Sequence, residues 1–214
     1  MTPFDNTVRA QVYGLFAEGV DRVDVGLVAM SGGWDEAEVA SSFRRLADEH
    51  RLALNEDGHR VWMAHPFSGV PTDYRAVVGD RSWFANCAWD ALAILSMLGD
   101  GAAVGRGDLA WEVRRGVVAP NGLVRLVVPA RHFWDDIGFT CANIGGFRSE
   151  AELDAWLIET GEERGEIVSA QTMFDLSGDW YRGRLDVSWS PPTAAEAEAM
   201  FARHGLTGDF WSLV

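Results

Sequence analysis

Trp83-Phe84-Ala85-Asn86-Cys87-Ala88-Trp89-Asp90-Ala91-Leu92 sets a thiol three residues ahead of a carboxylate in an otherwise apolar stretch. The apolar pattern runs on to Leu98 and breaks at Gly99, so residues 85–98 are expected to form one helix, with Asn86 or Ser82 as its N-cap. Cys87, Asp90, Ala91, Ile94 and Leu98 then share one stripe of that helix, which puts the acid on the core-facing side. A carboxylate there is costly unless it is paired or functional. The competing reading is an acid in the first turn that simply favours the helix dipole. The same helix terminus is expected to stabilise a thiolate at Cys87.

Upstream, apolar residues recur at helical spacing from Val8 to Glu18, in a short run from Val23 to Met30, and again from Asp35 to Glu49. Arg51-Leu52-Ala53-Leu54 and Arg60-Val61-Trp62-Met63-Ala64 flank a turn cluster ending in Asp57-Gly58, which signals a hairpin. Three helices followed by a hairpin predict a winged-helix-like module over residues 1–70. Its third helix carries Asp35, Glu36, Glu38, Asp48 and Glu49 against Arg44 and Arg45, whereas a helix that enters a DNA groove needs a basic face. The module is therefore expected to pack or to cover rather than to read DNA.

His65-Pro66-Phe67-Ser68-Gly69-Val70-Pro71-Thr72 is a proline-punctuated connector, after which a second module is expected over residues 71–185. Within it, Trp111–Arg114 and Leu123–Val128 flank Ala119-Pro120-Asn121-Gly122, a strand–turn–strand signature with Asn-Gly at the corner. The second of only two cysteines, Cys141, falls in the glycine-rich segment Gly138-Phe139-Thr140-Cys141-Ala142-Asn143-Ile144-Gly145-Gly146. Ser149-Glu150-Ala151-Glu152 matches a capping box that opens a helix to about Thr160. A short strand is expected over Glu166–Ala170 and a helix over Thr172–Arg182. Residues 186–214 form a C-terminal extension that turns at Pro191-Pro192 and carries one helix, capped by Thr193. The fold class is thus α+β: a winged-helix-like module, then a mixed α/β catalytic module with antiparallel sheet.

With 48% hydrophobic residues the 214-residue chain has ample material for a core. Eighteen basic against thirty-two acidic side chains give a net charge of −14, which repels nucleic-acid phosphates and anionic membrane surfaces. The first residues lack a basic and apolar leader, and the longest apolar run is too short to span a bilayer, so a cytoplasmic location with no membrane or nucleic-acid partner is expected. Free thiols are the default there. A free cysteine is by default a buried, inert small apolar residue, so only context makes Cys87 and Cys141 candidates for chemistry.

No Cys-x-x-Cys, His-Glu-x-x-His, Gly-x-Gly-x-x-Gly or Walker pattern occurs. His50, His59, His65, His132 and His204 have no ligand spacing and are expected at the surface or at caps. Asp135-Asp136 is expected to be solvated. Trp83 and Trp89, beside Cys87, are candidates to line an apolar pocket.

At Asn86-Cys87-Ala88-Trp89-Asp90-Ala91-Leu92, at Phe139-Thr140-Cys141 leading to Ser149, and at Glu166-Ile167-Val168-Ser169, the sequence resembles the organomercurial (alkylmercury) lyase family, over roughly residues 5–185. The resemblance implies cleavage of carbon–mercury bonds by protonolysis to a hydrocarbon and Hg(II). It implies Cys87, Cys141 and Asp90 as both the catalytic and the mercury-binding residues. It further implies an organomercurial substrate, no cofactor beyond Hg(II) as bound product, and release of that product to low-molecular-weight thiols or to a mercuric reductase. Soft mercury prefers thiolates to oxygen and nitrogen donors, which is why the chemistry needs two sulfurs. This chain departs from the family pattern in having Ala142 after the loop cysteine, no third cysteine, Asn86 where the family has an aromatic residue, and the tail from Asp186. Two further readings stand beside it: the same fold retooled for another thiol-dependent reaction in small-molecule metabolism, and a thiol-based metal-responsive winged-helix regulator.

Overall fold

Short polar side chains set the starts of the first three helices in the computed structural model, which describes residues 1–214. Thr2 and Asp5 form a capping box ahead of α1 (Pro3–Ala17), Asp24 caps α2 (Val25–Gly32), and Asp35 caps α3 (Glu36–Asp48). Buried Asp5 also accepts hydrogen bonds from Ser42 Oγ and Arg45 Nη2, both at 2.7 Å, and so fastens α1 to α3. The expected hairpin follows as β1 (Ala53–Leu54) and β2 (Val61–Ala64). Its turn is held by Asn55 Oδ1, which accepts from the Arg60 amide at 2.9 Å.

The proline-punctuated segment is not a bare linker. It contains β3 (Phe67–Ser68), which pairs with β2 on one side and, through Phe67 and Ala85, with a later strand on the other. Next come β4 (Tyr74–Val78), β5 (Arg81–Ala85), α4 (Ala88–Leu98), β6 (Gly101–Val104), β7 (Ala110–Arg114) and β8 (Val117–Ala119). They complete an eight-stranded antiparallel sheet in the order β1-β2-β3-β5-β4-β6-β7-β8, which crosses residue 70 without interruption.

The hairpin expected between Trp111–Arg114 and Leu123–Val128 does not form. β7 turns at Arg115-Gly116, both with positive φ, and pairs with β8. β9 (Leu123–Leu126) instead lies at the centre of a second antiparallel sheet, between β10 (Gly145–Phe147) and β11 (Glu166–Ser169). Asn121-Gly122 is the crossing between the two sheets. A Cβ at Gly122 would come within 2.3 Å of the Phe147 carbonyl oxygen and 2.5 Å of Trp111 Nε1, so the glycine is there for a close approach rather than for a hairpin turn.

The remaining helices are α5 (Ile137–Ala142), α6 (Glu150–Thr160), α7 (Ala170–Trp180) and α8 (Ala194–Arg203). Ser149 caps α6 through the Glu152 amide, but the Glu152 carboxylate binds the Arg148 amide, so the expected capping box is only half made. Thr193 and Glu196 complete theirs at α8.

α4 lies at the centre, buried continuously from Ala88 to Leu95 and packed on β4, β5, β6 and α7. One apolar cluster joins the N-terminal helices, both sheets and the C-terminal tail around it. Leu92 in this helix is fully buried, and Leu92→Ala is expected to cost about 2–5 kcal/mol of stability through lost burial and an unfilled cavity. Thermal or urea unfolding reads this directly, and a loss below about 1 kcal/mol would mean that the helix is free to collapse onto its neighbours.

Candidate active site

The corner between β5 and α4 carries the first thiol. Cys87 is itself the N-cap of α4, in place of the expected Asn86 or Ser82, and its sulfur accepts from the Asp90 amide at 3.4 Å. Ser82 lies within β5 instead. The second thiol comes from α5, a short helix capped by Asp136 Oδ1 through the Phe139 amide at 2.8 Å. Cys141 therefore sits on a helical turn rather than in a loop, and Asp136 has a structural task beyond solvation. The Ala88 amide donates to the Ile144 carbonyl at 3.3 Å and draws the two segments together.

Cys87, Asp90 and Cys141 are all nearly fully buried. Both thiols are free, line the same cavity and lie near enough to shift each other's acidity. Asp90 Oδ2 accepts from Asn86 Nδ2 at 2.9 Å, and Oδ1 accepts from Tyr181 Oη at 3.0 Å. The carboxylate is thus paired on the core side of its helix. Tyr181, at the C-terminal end of α7, and Asn86 hold its plane fixed. Asn86 also donates to the Pro66 and Phe67 carbonyls, while its own Oδ1 is buried without a partner.

His65 is the residue that sequence spacing missed. Its Nε2 lies 3.3 Å from Cys141 Sγ and 3.9 Å from Asp90 Oδ2, and the donor atoms of His65, Asp90 and Cys141 lie within 4.8 Å of one another. Of the other histidines, His50 lines the cavity above this site and stacks on Trp134 at 4.9 Å, His59 is exposed, and His132 and His204 pair with Asp135 and Asp179.

Charge is divided unequally between the two sulfurs. Burial pushes the Cys87 thiol well above its ordinary pKa, with the facing Cys141 and Asp90 adding to the rise. The helix terminus does not reverse this, so the expected thiolate at Cys87 is not favoured in the free site. Cys141 moves the other way, down to about 7, because it accepts the Cys87 hydrogen bond and lies against His65, which together outweigh its burial. For His65, burial lowers the pKa but is overcome by the negative charges of Cys141 and Asp90, and the net shift is upward. Burial raises Asp90 against the pull of His65, Asn86 and Tyr181, as suits a carboxyl that must carry a proton.

Above these groups opens a cavity of about 240 Å³ whose walls are mostly apolar, with Trp89, Phe133, Trp134, Trp180, Trp189 and Phe201 among them. The C-terminal extension supplies one wall, from Trp189 through α8 to Leu213. Of the two tryptophans expected at a pocket, Trp89 is there. Trp83 is instead packed in the core, with its Nε1 donating to the Phe16 carbonyl at 2.8 Å.

The description of the family whose model matches residues 67–182 is alkylmercury lyase. That span exceeds half of the chain and contains Cys87, Asp90, Cys141 and Tyr181, while His65 and the tail lie outside it. Among solved structures, the chain is similar to one described as the mercury-bound form of MerB2. The TM-score is 0.67 at 21% identity, covering 85% of this chain and 91% of that one, a likeness of fold. No curated protein matches the chain.

Proposed function

The chain belongs to the alkylmercury lyase family and is an organomercurial lyase, and we propose that Cys87, Cys141 and Asp90 carry its reaction. The observation that supports this assignment above the others is the convergence of two free, buried thiols and one buried carboxyl group in a single, mostly apolar cavity. Soft mercury would be taken by the sulfurs in preference to the oxygen and nitrogen donors around them.

The difference between the thiols supports an order. Cys141, beside His65, is the readier thiolate and would attack mercury first, displacing the thiolate ligand that the substrate brings. Cys87 would follow, passing its proton to Asp90 as its sulfur joins the metal. Asp90 would then deliver that proton to carbon as the carbon–mercury bond breaks and its electron pair forms the new C–H bond. The balance is one organomercurial–thiolate, one cysteine thiolate and one cysteine thiol going to one hydrocarbon, one Hg(II) bound by two sulfurs, and one free thiolate. His65 acts here as a positioning residue for the Cys141 thiolate, and Tyr181 and Asn86 do the same for Asp90.

Release of Hg(II) to low-molecular-weight thiols or to a mercuric reductase, and a cytoplasmic location, belong to the same proposal. No helix is long and apolar enough to cross a membrane. We read α1–α3 with the β1–β2 hairpin as the winged-helix-like module 1–70, residues 71–185 as the catalytic module and 186–214 as the extension that walls the cavity. These are divisions of task within a shared core. The family match favours the lyase over both a retooled thiol enzyme and a regulator.

Incubation with phenylmercury and excess 2-mercaptoethanol should release benzene, measured by gas chromatography, and a protein that released none would remove the assignment. In the free protein, iodoacetamide should label Cys141 before Cys87, with a rate that rises as pH passes through about 7. His65→Gln should move that rise to higher pH, because the thiolate loses its cationic neighbour. An unmoved profile would remove His65 from the site's electrostatics.

A further inference from the structure

Two guanidinium groups line the mostly apolar cavity, those of Arg51 and Arg184. Neither takes part in an ion pair or a side-chain hydrogen bond, and the Nε of each is buried without a partner. Arg60 Nε is also buried without a partner elsewhere, but Arg51 and Arg184 share one cavity, and a buried donor left unpaired costs stability unless something else meets it. Glu49 is the acid whose charge reaches Arg51, but its carboxylate is engaged by the amino group of Met1.

The two cations are also held near each other. Burial, and then the charge of Arg184, weaken the hold of Arg51 on its proton. Arg184 is fixed by stacking on Trp189 at 4.2 Å and on Tyr181 at 5.2 Å, and its carbonyl accepts from the Arg9 guanidinium. It stands three residues after Tyr181, whose hydroxyl holds Asp90, so the charged head and the proton donor are positioned by one turn of chain. Arg184 lies beyond the span matched by the family model, and Arg51 lies before it.

We propose that Arg51 and Arg184 form an anion subsite in the cavity wall that takes a carboxylate carried on the mercurial. Resting on the lyase reading, this deepens it: the favoured substrates bear a negative group on either the organic moiety or the thiol that ligates mercury. The aromatic walls hold the apolar part, the sulfurs take the metal, and the planar guanidinium forks pair with the carboxylate oxygens. Asp90 is the acid that faces the same cavity. It is turned into the floor by Asn86 and Tyr181 and does not neutralise the pair.

Two kinetic arms separate the sources of the carboxylate. The first compares kcat/KM for 4-carboxyphenylmercury and phenylmercury, both with neutral 2-mercaptoethanol. The second compares phenylmercury with thioglycolate and with 2-mercaptoethanol. The wild type should prefer the anionic member about tenfold or more in at least one arm, the scale of one charge-assisted contact of about 1.4 kcal/mol. The arm that shows the preference names the source. Arg51→Met and Arg184→Met should bring the ratio toward one, Arg184→Lys should keep part of it, and 0.5 M salt should weaken it. Circular dichroism and melting confirm that each variant is folded.

Calorimetric titration of the mercury-free protein with benzoate and with benzamide tests the subsite apart from any lyase activity. Benzoate should bind, benzamide should not, and both methionine variants should lose the difference. A wild type that cleaves phenylmercury without an anionic preference in either arm, or variants with an unchanged ratio, would overturn the arginine subsite and leave the lyase standing. A wild type that cleaves neither mercurial would remove the lyase reading, and the benzoate titration alone would then decide the arginine pair.

Discussion

Asp90→Asn is expected to lower benzene release from phenylmercury about 10²–10⁴-fold, the range in which one positioned general acid acts, while Hg(II) binding is kept. The substitution is nearly isosteric, and its carbonyl oxygen can still accept from Tyr181 Oη, now 3.0 Å from Oδ1. The thiols keep their places, because Cys87 is fixed by its position at the start of α4 and Cys141 by α5. What asparagine lacks is a proton to give to carbon. Its amide is neutral at every pH, so the variant removes a buried carboxyl whose ionised form burial disfavours, but its NH2 replaces the oxygen that accepts from Asn86 Nδ2 and loses that hydrogen bond, so melting is measured alongside to confirm that the variant is folded. Mercury retained after desalting and hydrocarbon released per hour separate the two functions. Turnover within about threefold of wild type would take the proton from Asp90, and His65, 3.9 Å from its carboxylate, would be the next donor to test.

The reach of sequence reading can be traced residue by residue. Helix starts were legible because Asp35, Ser149 and Thr193 cap through their own side chains, a local interaction that needs no knowledge of the rest of the chain. The Cys87 and Asp90 stripe was legible because α4 is regular and its pattern carries orientation. Strand pairing was not: Asn121-Gly122 is the stronger hairpin signal, yet Arg115-Gly116 makes the turn, because Trp111 and Phe147 close on Gly122 from two sheets. Gly138 and Gly145 made the Cys141 segment look like a loop, although Asp136 caps a helix there. His65 left no trace in spacing because it reaches Cys141 from the end of β2, seventy-six residues away in sequence. The charge state of Cys87 was also out of reach. A helix terminus can be read from sequence, whereas the burial that outweighs it belongs to the assembled core.

Cys87→Ser and Cys141→Ser should each abolish turnover and weaken Hg(II) binding by at least about 10³-fold, or about 4 kcal/mol, because a hydroxyl is a poor donor for a soft metal and one sulfur must then hold it alone. The two variants should nevertheless differ in stability. Cys87 occupies an N-cap position, where sulfur accepts from the Asp90 amide at a long 3.4 Å. Serine is among the preferred N-caps, and its shorter, stronger acceptor serves that amide better. Cys87→Ser should therefore hold or raise the melting temperature, by up to about 2–4 °C for each kcal/mol gained in a chain of this size. No such gain awaits Cys141→Ser, since Cys141 lies within the last turn of α5 and caps nothing. Its hydroxyl would also remove the thiolate that faces His65. A paired measurement of melting temperature and mercury retention tests this contrast. A Cys87→Ser protein that melts several degrees lower, or that still releases benzene, would contradict it. Loss of activity with a gain in stability at one atom would mean that the start of α4 carries cysteine for its reaction with mercury, at the expense of the better cap.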